Sequence, residues 1–129
     1  MEFVTEIARE NYRELVRAYM QPGARAPGKH LPRDVTAALY VLAHCGLNVE
    51  RFAPAMGVNA ISFTSVLSLP WSSGYRTMIR LAAHLYNQGE DITPWEIFNN
   101  LDEVNTQVAL NALRIAYDLS YPRTKGGQP

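Results

Sequence analysis

Residues 49–68 read VERFAPAMGVNAISFTSVLS, and this stretch decides the fold. Apolar residues recur there at three- and four-residue spacing, which is typical of helices that bury one face. Gly57 stands in the middle, and glycine adopts positive φ at little steric cost, so the chain can reverse there. Ala53 is small enough to let a second helix pack closely. The stretch therefore predicts two short helices, over residues 49–56 and 60–67, that cross at a tight turn. The side chains predicted to face inward are Phe52, Met56, Val58, Phe63 and Val66.

Pro54 lies inside the first of these two helices. An interior proline deletes a backbone hydrogen bond and crowds the preceding turn, at a cost of ~3 kcal/mol in an ordinary helix. The loss is smaller near a helix start, where the first N–H groups have no helical partner. We therefore expect a shortened or bent helix over residues 49–56.

The flanking sequence predicts further helices and no strand, so the expected fold is all-α, a compact bundle of about seven helices. The strongest boundary is Thr93-Pro94-Trp95-Glu96, where threonine can cap, proline suits the first turn and glutamate completes a capping box. Ser73 is expected to cap a helix over residues 75–87, and Asn59 can cap the helix that follows it. Gly46 is expected to end the helix that begins at Arg33.

The chain divides into five segments by its pattern of apolar residues, proline and glycine. A linker with three prolines and two glycines separates the first helix from the core, and it is either a tether or a basic arm that contacts DNA. In chain order the segments are an N-terminal helix (1–20), a Pro/Gly-rich basic linker (21–32), a core (33–101), a C-terminal helix (102–120) and a disordered tail (121–129).

Charge is balanced overall but unevenly distributed. Residues 1–80 hold nine Lys and Arg against six Asp and Glu, whereas residues 81–129 hold three against six. A polyanion would therefore meet the N-terminal part more readily. The single cysteine, Cys45, cannot form an internal disulfide, and the acidic N-terminus is no secretory signal. With no apolar run of roughly 20 residues, we expect a cytoplasmic protein without a membrane partner.

The pattern extends beyond the two central helices. Gly46-Leu47, Ala53, Gly57-Val58 and the run TMIRLA at residues 77–82 occupy consistent positions, and WEIF at residues 95–98 suits a short closing helix. Over about residues 34–99 the chain resembles the five-helix domain of lambda-repressor-like regulators, including the xenobiotic-response-element type. The resemblance implies binding of double-stranded DNA by a helix-turn-helix motif, in which the helix over residues 60–67 enters the major groove.

The same resemblance implies the residues that touch DNA. Phosphate contacts fall to arginines around the second helix and to a helix start, although Arg80 can equally lie over the acidic end of a neighbouring helix. Separately, the apolar stripes of the terminal helices, which include Val104 and Leu119, predict either a homodimer surface or a brace for the core. The base-contacting residues are Asn59, Ala60, Ile61, Thr64 and Ser65, and the phosphate-contacting residues are Arg51, Ser73, Tyr75, Arg76 and Arg80.

The residues predicted to contact bases lack the side chains that usually recognise bases strongly. It contains no Arg, Lys or Gln, whose long polar ends bond G or A edges in pairs. A DNA-binding protein with this set would be less specific or would read DNA shape. The alternative is a helix-turn-helix scaffold that binds protein as a co-regulator or antagonist, without DNA. Salt separates the two, because counterion release makes DNA binding weaken steeply as salt rises.

No residue pattern suggests an enzyme, a cofactor or a metal site. His44 and Cys45 are neighbours, and adjacent helical residues point about 100° apart, so they do not form a ligand pair. The sequence contains no CxxC, HxxxH, HExxH or GxSxG spacing. Most aromatic residues, Trp95 and Tyr117 among them, are expected in the core. Trp71 follows Pro70 in a turn and is either a partner-facing anchor or a lid over the core.

Overall fold

The computed structural model describes residues 1–24, 31–46, 49–57, 59–87 and 90–117. The prediction of a compact all-α bundle is confirmed, with one small sheet added to it. The α-helices are α1 (Glu6–Ala24), α2 (Arg33–Ala43), α3 (Phe63–Leu67), α4 (Ser73–Asn87), α5 (Pro94–Asn100) and α6 (Glu103–Tyr117). Two 3-10 turns (Val49–Arg51 and Ala53–Ala55) precede the strands β1 (Met56–Gly57) and β2 (Ala60–Ile61).

Helix α2 is the centre of the bundle. Eight of its eleven residues are buried, so its apolar surface runs nearly all the way round. It packs most extensively on α4 and α6, and α1 covers a further side. Alanines on α2, α4 and α6 let the backbones of these three helices approach closely. These alanines are Ala37, Ala38, Ala43, Ala82, Ala109 and Ala112, each with no exposed surface.

Helix α1 continues through Ala24, four residues into the segment predicted as linker. Ala8, Leu15 and Tyr19 lie on its buried side, whereas Ile7 is 46% exposed. The rest of that linker from residue 25 to residue 30 lies outside the described residues, and so do Arg25, Lys29 and His30.

Of the two helices predicted over residues 49–56 and 60–67, the first is wrong and the second is present but shorter than predicted. Two 3-10 turns replace the first, because Pro54 lacks the N–H that a regular helix needs there. The predicted turn is an antiparallel hairpin, in which Met56 pairs with Ile61 and Gly57 with Ala60. The second helix begins three residues later than predicted and is only five residues long.

The positive φ expected at Gly57 falls on Asn59 instead (φ 54°). Asparagine tolerates this conformation better than most residues, and it suits the two-residue connection between β1 and β2. Phe52, Met56 and Val66 are buried as predicted. A hairpin and a short helix therefore bury the side chains that the helical spacing had selected. Val58 lies outside the described residues.

The predicted cap is confirmed for α5, whereas α3 and α4 are capped by a different residue from the one predicted. Thr93 Oγ1 accepts from the Glu96 N–H at 3.2 Å and the Thr93 N–H donates to Glu96 Oε1 at 2.9 Å, so the capping box is confirmed. The cap of α4 is Ser72 instead of Ser73, since Ser72 Oγ accepts from the Tyr75 N–H at 3.3 Å. The cap of α3 is Ser62 instead of Asn59.

The N-terminal segment lies on α2 through a cluster of rings. Phe3 stacks on Tyr40 with ring centroids 5.4 Å apart and also contacts His44. The Val4 N–H donates to His44 Nε2 at 3.1 Å. Tyr40 Oη donates to the Glu2 carbonyl at 2.6 Å and accepts from the side-chain amide of Asn111 at 2.9 Å. One phenol therefore joins the start of the chain, α2 and α6.

Helix α6 is one of the two terminal helices that the sequence predicted as a dimer surface or a brace. Its residues Val108, Ala109 and Ala112 are fully buried against the bundle, so this side of the helix packs inside the protein as a brace. Val104 is 51% exposed, and Leu119 lies outside the described residues. In the ranges given above, no helix has both the length and the apolarity needed to cross a membrane.

Candidate functional site

The residues predicted to contact bases lie in the hairpin and α3 but do not form one outward face. Ile61 is 8% exposed, and its N–H donates to Tyr86 Oη at 3.3 Å, so it belongs to the core. Ala60, Thr64 and Ser65 are exposed. The Ser65 N–H donates to Ser62 Oγ at 3.4 Å, and the two hydroxyls lie 3.0 Å apart. Ser65 is therefore part of the cap of α3.

Asn59 holds the hairpin against α1 instead of facing solvent. Its N–H donates to the Tyr19 carbonyl at 2.9 Å. Its side-chain carbonyl oxygen is buried and accepts no hydrogen bond. A bidentate contact with adenine needs both the oxygen and the nitrogen of that amide, and here the oxygen is enclosed. Asn59 is thus a structural residue of the turn.

The three arginines predicted to bind phosphates all have contacts within the chain. Arg76 donates to the carbonyls of Leu67 at 3.0 Å and Leu69 at 3.1 Å, which satisfies one acceptor in the last residue of α3 and one just beyond it. The Arg51 guanidinium lies 4.5 Å from the centre of the Trp71 ring. These two cations therefore stabilise the turn between α3 and α4.

Arg80 is the most completely engaged of the three. It pairs with Glu90 at 3.0 Å and with Glu96 at 3.3 Å, and it also donates to the Asp91 carbonyl. Its side chain is 27% exposed. The alternative that placed it over the acidic end of a neighbouring helix is confirmed, because Glu96 is in the first turn of α5. Arg80 joins α4, the loop after it and α5.

The remaining phosphate candidates lie at the start of α4. Ser73 is the first residue of the helix, and its carbonyl accepts from Thr77 Oγ1 at 3.0 Å. Tyr75 is half-buried and meets Trp71 edge to face. Trp71 itself stacks on buried Phe52 and donates to the Val66 carbonyl at 2.7 Å. Of the two interpretations of Trp71, the lid over the core is confirmed.

Among the described residues, the most exposed aromatic side chain lies on α5, where sequence reasoning had predicted core. Trp95 is 70% exposed, and Phe98, one turn further along, is 38% exposed. Ile97 is 5% exposed and takes the buried side. Residues three apart on a helix are neighbours, so the two rings share one side. We call the pair Trp95 and Phe98 the α5 aromatic face.

The first turn of α5, which carries Trp95, is fixed by contacts from the residue before the helix and from α4. The Thr93–Glu96 capping box fixes the start of α5, and Arg80 bonds the same Glu96 carboxylate from α4. The backbone N–H of Thr93, and then Arg80, lower the pKa of Glu96. The carboxylate is thus kept charged, and contacts within the chain fix the start of the helix.

The surroundings of the face are acidic. Residues 81–113 contain five Asp and Glu and no Lys or Arg. Glu90 and Glu96 share the single charge of Arg80, which leaves a net negative cluster. The side chains of Asp91, Asp102 and Glu103 are exposed. The sequence had shown this acidic half, but nothing in its local pattern marked Trp95 as exposed.

Comparisons with protein-family models, curated proteins and solved structures give no match. The resemblance to lambda-repressor-like regulators therefore stays a prediction. Among the described residues, no group of three or more His, Cys, Asp or Glu side chains is placed to hold a metal ion.

Proposed function

We propose that the chain is a protein-binding module, a co-regulator or antagonist in type, and that its partner docks on the α5 aromatic face. The observation that carries the proposal is the 70% exposure of Trp95 beside the partly exposed Phe98. Tryptophan side chains are highly buried on average in folded proteins, and tryptophan is among the residues that dominate protein–protein binding energy.

The size of the available energy supports docking here. A buried aromatic side chain removes about 150–250 Å² from water, at roughly 25 cal/mol per Å². Covering the exposed part of Trp95 alone is thus worth on the order of 2–4 kcal/mol before the costs of association. The capping box and Arg80 reduce those costs, because the helix start needs no ordering when the partner binds.

Base-specific DNA recognition is the less favoured function. Helix α3 has five residues, and Ile61 and Asn59 are committed to the core and the turn. The arginines expected on phosphates contact carbonyls, carboxylates or Trp71 instead. The exposed side chains of Thr64 and Ser65 are the observation that still favours contact with DNA.

A paired experiment separates the two functions. Affinity purification from the source cells compares the wild-type chain with the double variant Trp95→Ala/Phe98→Ala and with Ile7→Ala. Ile7 is a matched control, since it is an exposed apolar residue on α1. We expect a partner that the wild type and Ile7→Ala retain and that the double variant loses.

The second arm is a gel-shift titration of random-sequence duplex DNA from low to physiological salt. We expect no retardation even at low salt. Retardation that weakens steeply with salt, and that the double variant Thr64→Ala/Ser65→Ala reduces without a change in melting temperature, would establish DNA binding and overturn the proposal.

A further inference from the structure

We infer that the occupant of the α5 aromatic face is a protein segment in which an apolar anchor is flanked by Lys or Arg. The inference rests on the proposed function and adds the chemistry of the partner. Two independent observations meet at this helix: the exposed rings of Trp95 and Phe98, and five acids in the adjoining sequence that are balanced only in part by the single charge of Arg80.

The anchor follows from the geometry of α5. Side chains three residues apart on a helix stand about 5–6 Å from one another at Cβ, so Trp95 and Phe98 present neighbouring rings. Neither ring takes part in the stacked pairs found elsewhere among the described residues. An aliphatic or aromatic side chain packed across both rings would remove them from water.

The flanking cations follow from charge. Arg80, the nearest base in the sequence, already bonds Glu90 and Glu96. Asp91 lies just before α5, and Asp102 and Glu103 lie just after it, all with exposed side chains. A partner with Lys or Arg on either side of its anchor meets opposite charge at both ends of the helix. Such complementarity speeds association and rejects acidic competitors.

The same charges argue against the other occupants. A second copy that docked through the same face would bring acids against acids across a twofold axis. A nucleic acid or an anionic lipid surface would meet the same repulsion. Only a partner with complementary charge gains from both the rings and the acids around them.

The test is selection from a random-peptide phage library on the immobilised full-length chain. Binding clones are then compared on the double variant Trp95→Ala/Phe98→Ala and on the control Ile7→Ala. We expect clones that bind the wild type and the control but not the double variant. Those clones should carry an aromatic or aliphatic residue with Lys or Arg on both sides.

A synthetic peptide from the strongest clone then probes the acids directly. Its affinity should fall about fivefold on the double variant Asp91→Asn/Glu103→Gln, which removes two exposed charges and little volume. Its affinity for the wild type should fall as salt rises. An unchanged affinity on the neutralised variant would overturn the role of the acids.

The remaining outcomes separate the inference from the proposed function. Clones that depend on Trp95 and Phe98 but carry neutral or acidic flanks would overturn the basic partner and leave the docking face intact. If none of the selected clones depends on the two rings, both the inference and the proposed function are overturned. Wild-type dimers in sedimentation that the ring variant abolishes would assign the face to a second copy and also overturn the inference.

Discussion

Replacing Gly57 by alanine tests whether the chain forms a hairpin at this point or two helices joined by a tight turn. In the structure Gly57 pairs with Ala60 and does not have positive φ. A Cβ added to Gly57 would lie 3.8 Å from the Ala60 Cβ, an ordinary van der Waals contact. In a tight turn between two helices, the same glycine would need the left-handed conformation that alanine resists.

The hairpin and the helix pair predict changes in stability of opposite sign for Gly57→Ala. Glycine to alanine at a compatible position stabilises by ~0.4–1 kcal/mol, because the unfolded chain loses conformational freedom. For a domain of this size we expect the melting temperature to rise by about 1–5 °C. In the left-handed conformation alanine costs roughly 1–2 kcal/mol, and the melting temperature would fall by several degrees.

Thermal unfolding followed by far-UV circular dichroism measures the difference, with Gly46→Ala as the matched control. Gly46 has φ +134°, a conformation that residues with a Cβ rarely adopt, so its replacement should lower the melting temperature. If Gly57→Ala lowers the melting temperature as much as Gly46→Ala does, the hairpin argument is refuted.

Two further predictions follow from hydrogen bonds. His44 donates from Nδ1 to the Tyr40 carbonyl at 2.9 Å and accepts the Val4 N–H at Nε2, and burial lowers its pKa below 6.5. The unfolded chain therefore binds this proton more readily, so stability should fall as pH drops below about 6.5, and denaturant titrations should show a smaller fall in His44→Gln. Thr93→Ala removes the cap of α5 and should cost about 1 kcal/mol, which thermal unfolding measures. The same variant should bind a ring-dependent peptide more weakly, and equal binding would show that the cap does not hold the α5 aromatic face.

The capping box was predictable because all of it is local. Thr93, Pro94 and Glu96 contact one another across a single turn, and no distant residue has to be placed. The all-α class was predictable for a related reason, since the helical period recurs over most of the chain. Both predictions rest on neighbours in sequence.

The fold of residues 49–67 was not predictable from spacing alone. Phe52, Met56 and Val66 are buried in the hairpin arrangement just as they would be in a helix pair. Periodicity therefore identified the core side chains but not the backbone that carries them. Pro54 gave the local signal against a regular helix, and the position of Asn59 at φ 54° completed the turn.

The site depended on long-range contacts that the sequence does not display. Arg76 contacts carbonyls seven and nine residues back, and Arg80 meets carboxylates ten and sixteen residues ahead. Such pairings decide whether a cation faces solvent or the protein. Trp95 is exposed because Ile97 takes the buried side of α5, and that choice depends on where α4 and α6 lie.

The central position of α2 has a consequence for synthesis on the ribosome. This helix emerges early, but α4 and α6, which cover most of it, begin only at Ser73 and Glu103. Part of its apolar surface therefore stays uncovered until α6 has been translated. We expect nascent chains of intermediate length to be clients of holdase chaperones, and fragments that stop before α6 to aggregate.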